Sequence, residues 1–327
     1  MRRRHVFSVA VATLGGLSLV LSGCSTPKDS APAAETGGEG FPVTIEHAMG
    51  TATIDSKPKR IVTLDSSYKD ATLLLGGEVL GYTVYDPKAD VFPVYLGSVP
   101  EENKDAENLG QLGEPSLEKI IALEPDLIVS AKVRDEKNYK ELTKIAPTVF
   151  SETTGPTWKE NILLLGKAMG EEQRAKDEIA AFEARAKKVG SAVLAEHPDA
   201  SYSMVRFAGE DTARLYSSNS FIGEIMAATG IPRPKGQPDT EAEIFTPLSL
   251  EQLEQADAQK IFVNETANEL PAAASQAKEF ESSPLWKSLT GAVVKVDEDV
   301  WISSVSIQGA NATLDDIAKE WGVDDFR

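Results

Sequence analysis

The stretch SLEKIIALEPDLIV, residues 116–129, returns in outline as SLEQLEQADAQKIFV, residues 249–263, 133 positions later. Each copy begins with Ser-Leu-Glu, continues with apolar residues at helical spacing and ends in an apolar run typical of a buried strand. Serine is a favourable helix N-cap, and Pro125 ends the first helix. We expect one helix-strand unit in each half of the chain. The side chains predicted to face inward are Leu117, Ile120, Ile121, Leu250 and Leu253.

A strand and a helix precede each copy of this unit. RIVTL, residues 60–64, predicts a strand, and the helical stretch after it ends at two glycines. SYSMVRF, residues 201–207, predicts a second strand, and its helix ends at Gly230. Strands that alternate with helices indicate an α/β fold. The sequence therefore predicts two similar α/β lobes, residues 41–157 and 197–327.

The segment between the lobes, residues 158–196, contains no proline. Its apolar residues Ile179, Phe182 and Ala186 keep a helical spacing among charged residues, which predicts a long amphipathic helix. We expect this helix to be a rigid connection between the lobes. A ligand cleft would then lie between them and open only modestly.

The N-terminus predicts export. MRRRHVF is basic, the following residues are apolar and LSGC ends in small residues before Cys24, so residues 1–23 read as a signal peptide. Export by the general secretory or the twin-arginine route stays open. Residues 24–40 are rich in Ser, Pro, Ala, Gly and Glu and predict a flexible tether, with a reach on the order of 20 Å.

Composition excludes several kinds of function. Cys24 is the only cysteine, so the chain forms no internal disulfide and has no CxxC motif. Without residues 1–23, which hold three arginines and no acidic residue, the formal charge changes from −18 to −21 and argues against nucleic acid. The two histidines of the mature chain disfavour a zinc site built from several imidazoles. No phosphate-binding, dinucleotide-binding or nucleophile-elbow motif is present.

Six ordered motifs resemble the substrate-binding lipoproteins of iron-siderophore ABC importers, a group related to cobalamin-binding proteins. The resemblance covers the chain from about residue 43 to the C-terminus, in the motifs KPKRIVTL, GEPSLEKIIALEPDLIV, YKELTKIAPTV, WKENILLLGKAMG, GIPRP and LSLEQLEQADAQKIFV. It implies a two-lobed fold, capture of a ferric chelate in the cleft and delivery to a membrane permease. It also identifies LSGC as a lipobox, with cleavage before Cys24, acylation of that residue and anchoring at the outer face of the cell membrane. We expect a monomer without a covalent cofactor.

A siderophore already surrounds its iron with oxygen atoms, so the protein needs outer donors and flat walls rather than metal ligands. Arginine suits the donor role because its fixed fork hydrogen-bonds charged oxygens. Arg206, in the apolar strand MVRF, is the best candidate; the alternative is a structural ion pair. Arg134, after the strand DLIVSA, is the matching candidate of the first lobe; the alternative is a solvated charged loop.

Aromatic side chains are the candidates for the walls of the cleft. Amphipathic rings can line a pocket while their polar atoms reach the ligand. The alternative for each of them is packing in the core. The candidates are Tyr85, Tyr95, Trp158, Tyr216 and Trp301.

The acidic charge of the chain favours a ferric hydroxamate or mixed chelate over a trianionic ferric catecholate. Cobalamin or haem is the alternative within transport, since a tyrosine or histidine could ligate haem iron. An enzyme on an α/β scaffold and a surface lipoprotein without a ligand are the remaining alternatives.

Glu118 and Glu251 occupy the same position in the two Ser-Leu-Glu copies. A carboxylate in the first turn of a helix stabilises it by about 0.3 to 1 kcal/mol, which is sufficient reason for both residues. The resemblance adds a second role, because these importers are thought to seat the binding protein on a two-fold symmetric permease through one acidic contact from each lobe. Glu118 and Glu251 are the residues that match.

Overall fold

The computed structural model describes residues 40–85, 92–265 and 271–327. The predicted signal peptide, Cys24 and the tether up to residue 39 lie outside these residues. Two larger sheets and one hairpin contain all strands of the described part. The strands are β1 Val43–His47, β2 Gly50–Ile54, β3 Arg60–Thr63, β4 Glu78–Val84, β5 Glu107–Gln111, β6 Glu114–Pro115, β7 Leu127–Ala131, β8 Thr148–Ser151, β9 Tyr202–Phe207, β10 Ala213–Tyr216, β11 Phe245–Leu248, β12 Lys260–Glu265 and β13 Ala292–Lys295.

Helices alternate with these strands. They are α1 Ser66–Leu74, α2 Leu117–Leu123, α3 Lys132–Asp135, α4 Tyr139–Leu142, α5 Trp158–Met169, α6 Glu172–Glu196, α7 Phe221–Thr229, α8 Pro271–Ser282, α9 Pro284–Lys287 and α10 Ile307–Trp321. The first sheet has the order β6-β5-β4-β3-β7-β8 and the second β11-β10-β9-β12-β13. Strands β3, β4, β5, β7 and β8 are parallel, as are β9, β12 and β13. The prediction of two α/β lobes with a long helix is confirmed.

The repeated unit is present in both sheets, with one difference. Ser116 caps α2, its hydroxyl accepting from the Lys119 N–H at 3.5 Å, and the helix ends before Glu124. The second copy, Leu250–Ala256, is a 3₁₀ helix rather than an α-helix. The strands that follow, β7 and β12, are interior strands of their sheets. Ile120 is fully buried, but Ile121 is 58% exposed, so its predicted inward position is wrong; consecutive residues on a short helix point about 100° apart.

The connecting segment consists of two helices rather than one. Gly170 ends α5 in the left-handed conformation, φ 68°, which glycine adopts at little cost. The predicted long amphipathic helix is therefore α6, 25 residues long, which packs against α5 on one side and against α7 and α10 on the other. At Gly190 a Cβ atom would lie 1.8 Å from the Thr229 carbonyl oxygen, so glycine permits this close approach to α7. The described residues belong to one unit, and the exact lobe boundaries stay a prediction.

A buried carboxylate joins the first lobe to the C-terminal helix. Asp70 of α1 is completely buried, and its Oδ2 accepts from the Tyr95 hydroxyl at 2.7 Å and the Ser306 hydroxyl at 2.9 Å. The main-chain carbonyl oxygen of Asp70 accepts from Gln308 Nε2 at 2.7 Å. Two elements from opposite ends of the sequence are therefore held together by polar contacts inside the protein.

The burial of Asp70 makes the stability of the protein depend on pH. Burial raises the pKa of Asp70 from 3.8 to about 6, against the opposing effects of Lys69, Tyr95 and Ser306, while the charge of Asp65 raises it further. Between these values the folded protein holds the proton and the unfolded chain does not, so this group's contribution to stability falls as the pH rises from about 4 to 6. We expect wild type to lose more stability than Asp70→Asn between pH 5 and pH 7 in urea unfolding. Parallel pH profiles of the two proteins would contradict this.

Candidate functional site

The carboxyl ends of the parallel strands of both sheets carry polar and aromatic side chains. Asp65 follows β3, Tyr85 follows β4 and Arg134 lies in α3 after β7. In the second sheet Arg206 is the penultimate residue of β9, one position before Phe207, and Glu298 follows β13. Ligands of open α/β sheets bind at this edge. The strand ends therefore define the candidate site, which we call the cleft.

Arg134 is held by two partners of its own lobe. Its Nε donates to Asp65 Oδ2 at 2.9 Å, and its Nη2 donates to the Tyr85 hydroxyl. The guanidinium carbon lies 5.2 Å from the centre of the Tyr85 ring. A cavity of about 350 Å³ opens here, and Val133 and Gly113 also contribute to its lining. Arg134 therefore has a defined orientation beside a cavity with an aromatic and an aliphatic wall.

Arg206 holds the corresponding position in the second lobe. Its Nη2 donates to Glu298 Oε1 at 2.6 Å, and its Nη1 lies 3.5 Å from the Tyr216 hydroxyl. The ion pair that was the structural alternative for Arg206 is thus present. Hydrogen bonds between a guanidinium and a carboxylate are strong, so Glu298 fixes the orientation of Arg206.

Arg134 and Arg206, from different lobes, both influence the Tyr85 hydroxyl. Burial raises the pKa of the Tyr85 hydroxyl, and the charges of Arg134 in the same lobe and Arg206 in the other lobe both oppose that rise. The field of Arg206 therefore reaches across to Tyr85, whose side chain is still half exposed. Tyr85 of the first lobe and Arg206 of the second therefore lie within electrostatic range of each other.

Five residues of the cleft were not predicted from the sequence: Asp65, Glu210, Arg214, Phe245 and Glu298. Arg214 of β10 pairs directly with Arg206 of β9. Its Nε donates to Glu210 Oε2 at 2.9 Å and its Nη2 to Oε1 of the same residue, while its guanidinium carbon lies 4.5 Å from the centre of the Phe245 ring. The alternation of strand residues places Arg214 on the same face as Tyr216, and this signal could have identified it.

Among residues 40–85, 92–265 and 271–327 no group of three or more His, Cys, Asp or Glu side chains is placed to hold a metal ion. The described helices include none that is long and apolar enough to cross a membrane. A larger cavity of about 730 Å³ lies between β1 and α5 and is lined by no arginine or aromatic residue. This cavity therefore lacks the guanidinium groups that lie at the strand ends of the cleft.

Comparison with known proteins identifies the family. The family described as "Periplasmic binding protein" matches residues 61–295, more than half of the chain. The chain belongs to this family. Periplasmic binding proteins bind a substrate without converting it, so this protein is not an enzyme.

Relatives of this periplasmic binding protein span nearly its whole length. "Probable siderophore-binding lipoprotein YfiY" of Bacillus subtilis (strain 168) is 34% identical over 315 residues, 91% of this chain and 93% of the relative. "Fe(3+)-citrate-binding protein YfmC" of the same organism is 31% identical over 311 residues, 92% and 93% of the two chains. The crystal structure of Staphylococcus aureus SirA complexed with staphyloferrin B is 31% identical, covers 86% of this chain and 99% of that one, and has a TM-score of 0.77.

Two of the predicted wall residues are core residues of this periplasmic binding protein. Trp158 is buried and packs edge-on against Phe182 and Phe221. Trp301 is buried, lies against Phe262 and donates its indole N–H to Asp316 at 2.9 Å. Their assignment to the cleft wall is corrected, because neither ring has a surface that a ligand could reach.

The three predicted tyrosines lie in two different places. Tyr85 and Tyr216 lie beside Arg134 and Arg206. The Tyr95 hydroxyl instead donates a hydrogen bond to Asp70 Oδ2. Tyr95 also lines a surface cavity between α6 and α10. Its role in ligand binding stays a prediction that the contacts of its hydroxyl do not support.

Glu118 and Glu251 are both exposed. Each lies at the start of a helix that precedes an interior parallel strand, β7 or β12. A helix that connects two parallel strands runs antiparallel to them. Its first residues therefore lie near the carboxyl ends of the strands, on the cleft side of the lobe. Hydrogen bonds from its own backbone N–H and from Ser249 lower the pKa of Glu251, which keeps this carboxylate charged.

Proposed function

We propose that the protein captures a ferric siderophore in the cleft and delivers it to the permease of an ABC importer. The observation that carries the proposal is the set of guanidinium groups at the strand ends of both lobes: Arg134, Arg206 and Arg214. A siderophore needs no metal ligand from the protein, but its anionic oxygens need donors of this kind. The relatives named for siderophores and ferric citrate support the same ligand class.

The site favours one of the two chelate types that the sequence allows. Three guanidinium groups in one cleft suit a mixed chelate that carries carboxylates better than a neutral trihydroxamate. The rings of Tyr85 and Phe245 lie 5.2 and 4.5 Å from the guanidinium carbons of Arg134 and Arg214, so each cation has a flat apolar surface beside it. A chelate with charged oxygens and an apolar backbone fits both features.

Haem ligated by a histidine, one form of the alternative ligands, finds less support. His47 Nδ1 accepts from the Met49 N–H at 3.2 Å and its Nε2 lies 3.3 Å from the Tyr139 hydroxyl. His197 Nε2 lies 3.0 Å from the Trp321 carbonyl oxygen. Both imidazoles are therefore engaged in contacts within the fold and away from the strand ends that form the cleft.

Protein recovered from iron-starved cells tests the ligand class. We expect mass spectrometry to release an iron chelate and the absorbance spectrum to show a ferric charge-transfer band. A haem Soret band or a cobalamin spectrum would favour the alternative instead. If neither the recovered protein nor apoprotein titrated with ferric citrate and ferric trihydroxamates shows binding, the proposal is wrong.

We also propose that Cys24 carries the lipid anchor, since LSGC fits a lipobox and several relatives are named lipoproteins. Replacing Cys24 by serine removes the thiol that would be acylated. We expect the Cys24→Ser protein to move from the membrane fraction to the soluble extracytoplasmic fraction, as followed by immunoblot. A variant with Ser25→Ala is the matched control and should stay with the membrane. Membrane retention of Cys24→Ser would exclude this anchor.

A further inference from the structure

Each arginine of the cleft contacts a carboxylate of the protein itself. Arg134 pairs with Asp65, Arg206 with Glu298 and Arg214 with Glu210. The three positive charges are therefore opposed by three negative ones. An anionic ligand that approaches these guanidinium groups meets donors that are already hydrogen-bonded.

The register of the second sheet explains why two of these carboxylates are present. Arg206 and Arg214 lie directly opposite each other on neighbouring antiparallel strands. Like charges in this position destabilise a sheet. Glu298 precedes the π-helix Asp299–Ser303 that follows β13 and pairs with Arg206, and Glu210 lies in the turn between β9 and β10 and pairs with Arg214. The hydrogen bonds and charge of Arg214, with a contribution from Arg206, lower the pKa of Glu210, so this carboxylate is charged.

The three carboxylates differ in how firmly the rest of the fold holds them. Asp65 is 2% exposed and caps α1: its Oδ1 accepts from the Ser67 N–H at 3.0 Å and the Ser67 hydroxyl at 2.6 Å. The Glu210 side chain is 45% exposed and lies in the turn before β10, whereas the Glu298 side chain is 17% exposed and comes just before the π-helix Asp299–Ser303, with its Oε1 3.5 Å from the Ser303 hydroxyl. Asp65 is thus part of the helix cap, whereas the two glutamates have longer side chains that cap no α-helix, and Glu210 also has solvent beside it.

We propose that Glu298 and Glu210 are specificity-determining residues that an anionic ligand displaces from Arg206 and Arg214. The inference rests on the proposed function and concerns how the charge of the chelate affects its affinity. A carboxylate of the chelate replaces a carboxylate of the protein at the same guanidinium face, whereas a neutral chelate offers no equivalent group. The two glutamates therefore compete with anionic chelates and lower the affinity for them relative to neutral chelates, while the cleft as a whole stays close to neutral.

If these glutamates had a purely structural role, the opposite change in ligand affinity would be expected on their neutralisation. If they served only to orient the arginines, their loss would misplace the guanidinium groups and weaken the binding of every chelate. If they compete with the ligand, their neutralisation strengthens the binding of anionic chelates alone. The ratio of the affinities for an anionic and a neutral chelate separates these cases.

The test uses Glu298→Gln and Glu210→Gln in the full-length protein, with ferric citrate as the anionic probe and ferrichrome, a neutral ferric trihydroxamate, as the other. Glutamine keeps the size of the side chain and an acceptor oxygen. We expect each variant to bind ferric citrate about tenfold more tightly than wild type, corresponding to about 1.4 kcal/mol, and ferrichrome unchanged. Exposed Glu254→Gln, outside the cleft, is the control and should equal wild type for both probes.

Three results would overturn the inference: weaker binding of ferric citrate, unchanged binding of ferric citrate, or equal gains for both probes, each with an unchanged melting temperature. If a glutamate variant melts earlier, the double variant Arg214→Gln with Glu210→Gln removes the pair without leaving a charge and must lack the gain. If wild type binds chelates but the variants have the same ratio of ferric citrate to ferrichrome affinity as wild type, only this inference fails. If wild type and all variants bind neither probe, the proposed function fails and the inference with it.

Discussion

Arg206→Ala should weaken the binding of ferric citrate by about a hundredfold. A hydrogen bond to a charged group contributes about 1.5 to 3 kcal/mol, and about 1.4 kcal/mol corresponds to a factor of ten. The Arg206 guanidinium can offer two N–H groups that now face Tyr216 and Glu298, and its loss also leaves the Glu298 carboxylate to repel an anionic chelate. Titration of the apoprotein, followed by tyrosine and tryptophan fluorescence, measures the effect.

Two further variants separate the contributions. Arg206→Ala combined with Glu298→Ala removes the repulsive charge and should recover part of the lost affinity. Arg174→Ala, which removes an exposed arginine of α6 outside the cleft, should bind as wild type does. An affinity of Arg206→Ala equal to that of wild type would remove Arg206 from the ligand site.

The double variant Glu118→Ala with Glu251→Ala should leave ligand affinity intact and abolish uptake of the chelate by cells. Both carboxylates are exposed on the cleft side of their lobes, and neither contacts the arginines of the cleft. Each single variant should reduce uptake less, because one contact with the permease remains. Accumulation of radiolabelled iron in cells that depend on this protein measures the effect.

The control for docking is Glu160→Ala with Glu254→Ala, which removes two exposed carboxylates at other positions. It changes the net charge by the same amount, so it should retain uptake if position rather than charge matters. Normal uptake by the Glu118 and Glu251 double variant would exclude docking through these residues. A loss of chelate affinity in that variant would instead place them in the ligand site.

Sequence periodicity predicts those features that depend on short stretches of chain. The strand RIVTL, the strand MVRF and the Ser-Leu-Glu units lie where apolar runs and N-caps place them, and Arg206 and Arg134 lie at strand ends as expected. The break at Gly170 was not predicted, because glycine within a helical pattern is tolerated in many helices and ends others. Only the packing of α5 and α6 decides between these outcomes.

Pairing between distant strands is the information that the sequence analysis lacked. Arg214 entered the cleft only once β10 was paired with β9, and Glu298 only once β13 was placed beside β12. Trp158 and Trp301 show the converse error. A tryptophan near a predicted cleft has the same sequence signature whether its ring faces the ligand or the core, and in both cases here it faces the core.

The contacts of Asp70 bear on how this fold can be divided. The chain repeats a helix-strand unit, which suggests two halves that originated by duplication and could be produced separately. Yet Ser306 and Gln308, at the start of α10, complete the hydrogen bonding of Asp70 in α1, and Ser66 donates to the Ser303 carbonyl oxygen at 2.8 Å. A fragment that stops after the first sheet would expose an ionisable group that the intact protein keeps dry. These hydrogen bonds tie α1 to the segment that begins α10, so we expect a fragment without α10 to be less stable than the intact protein.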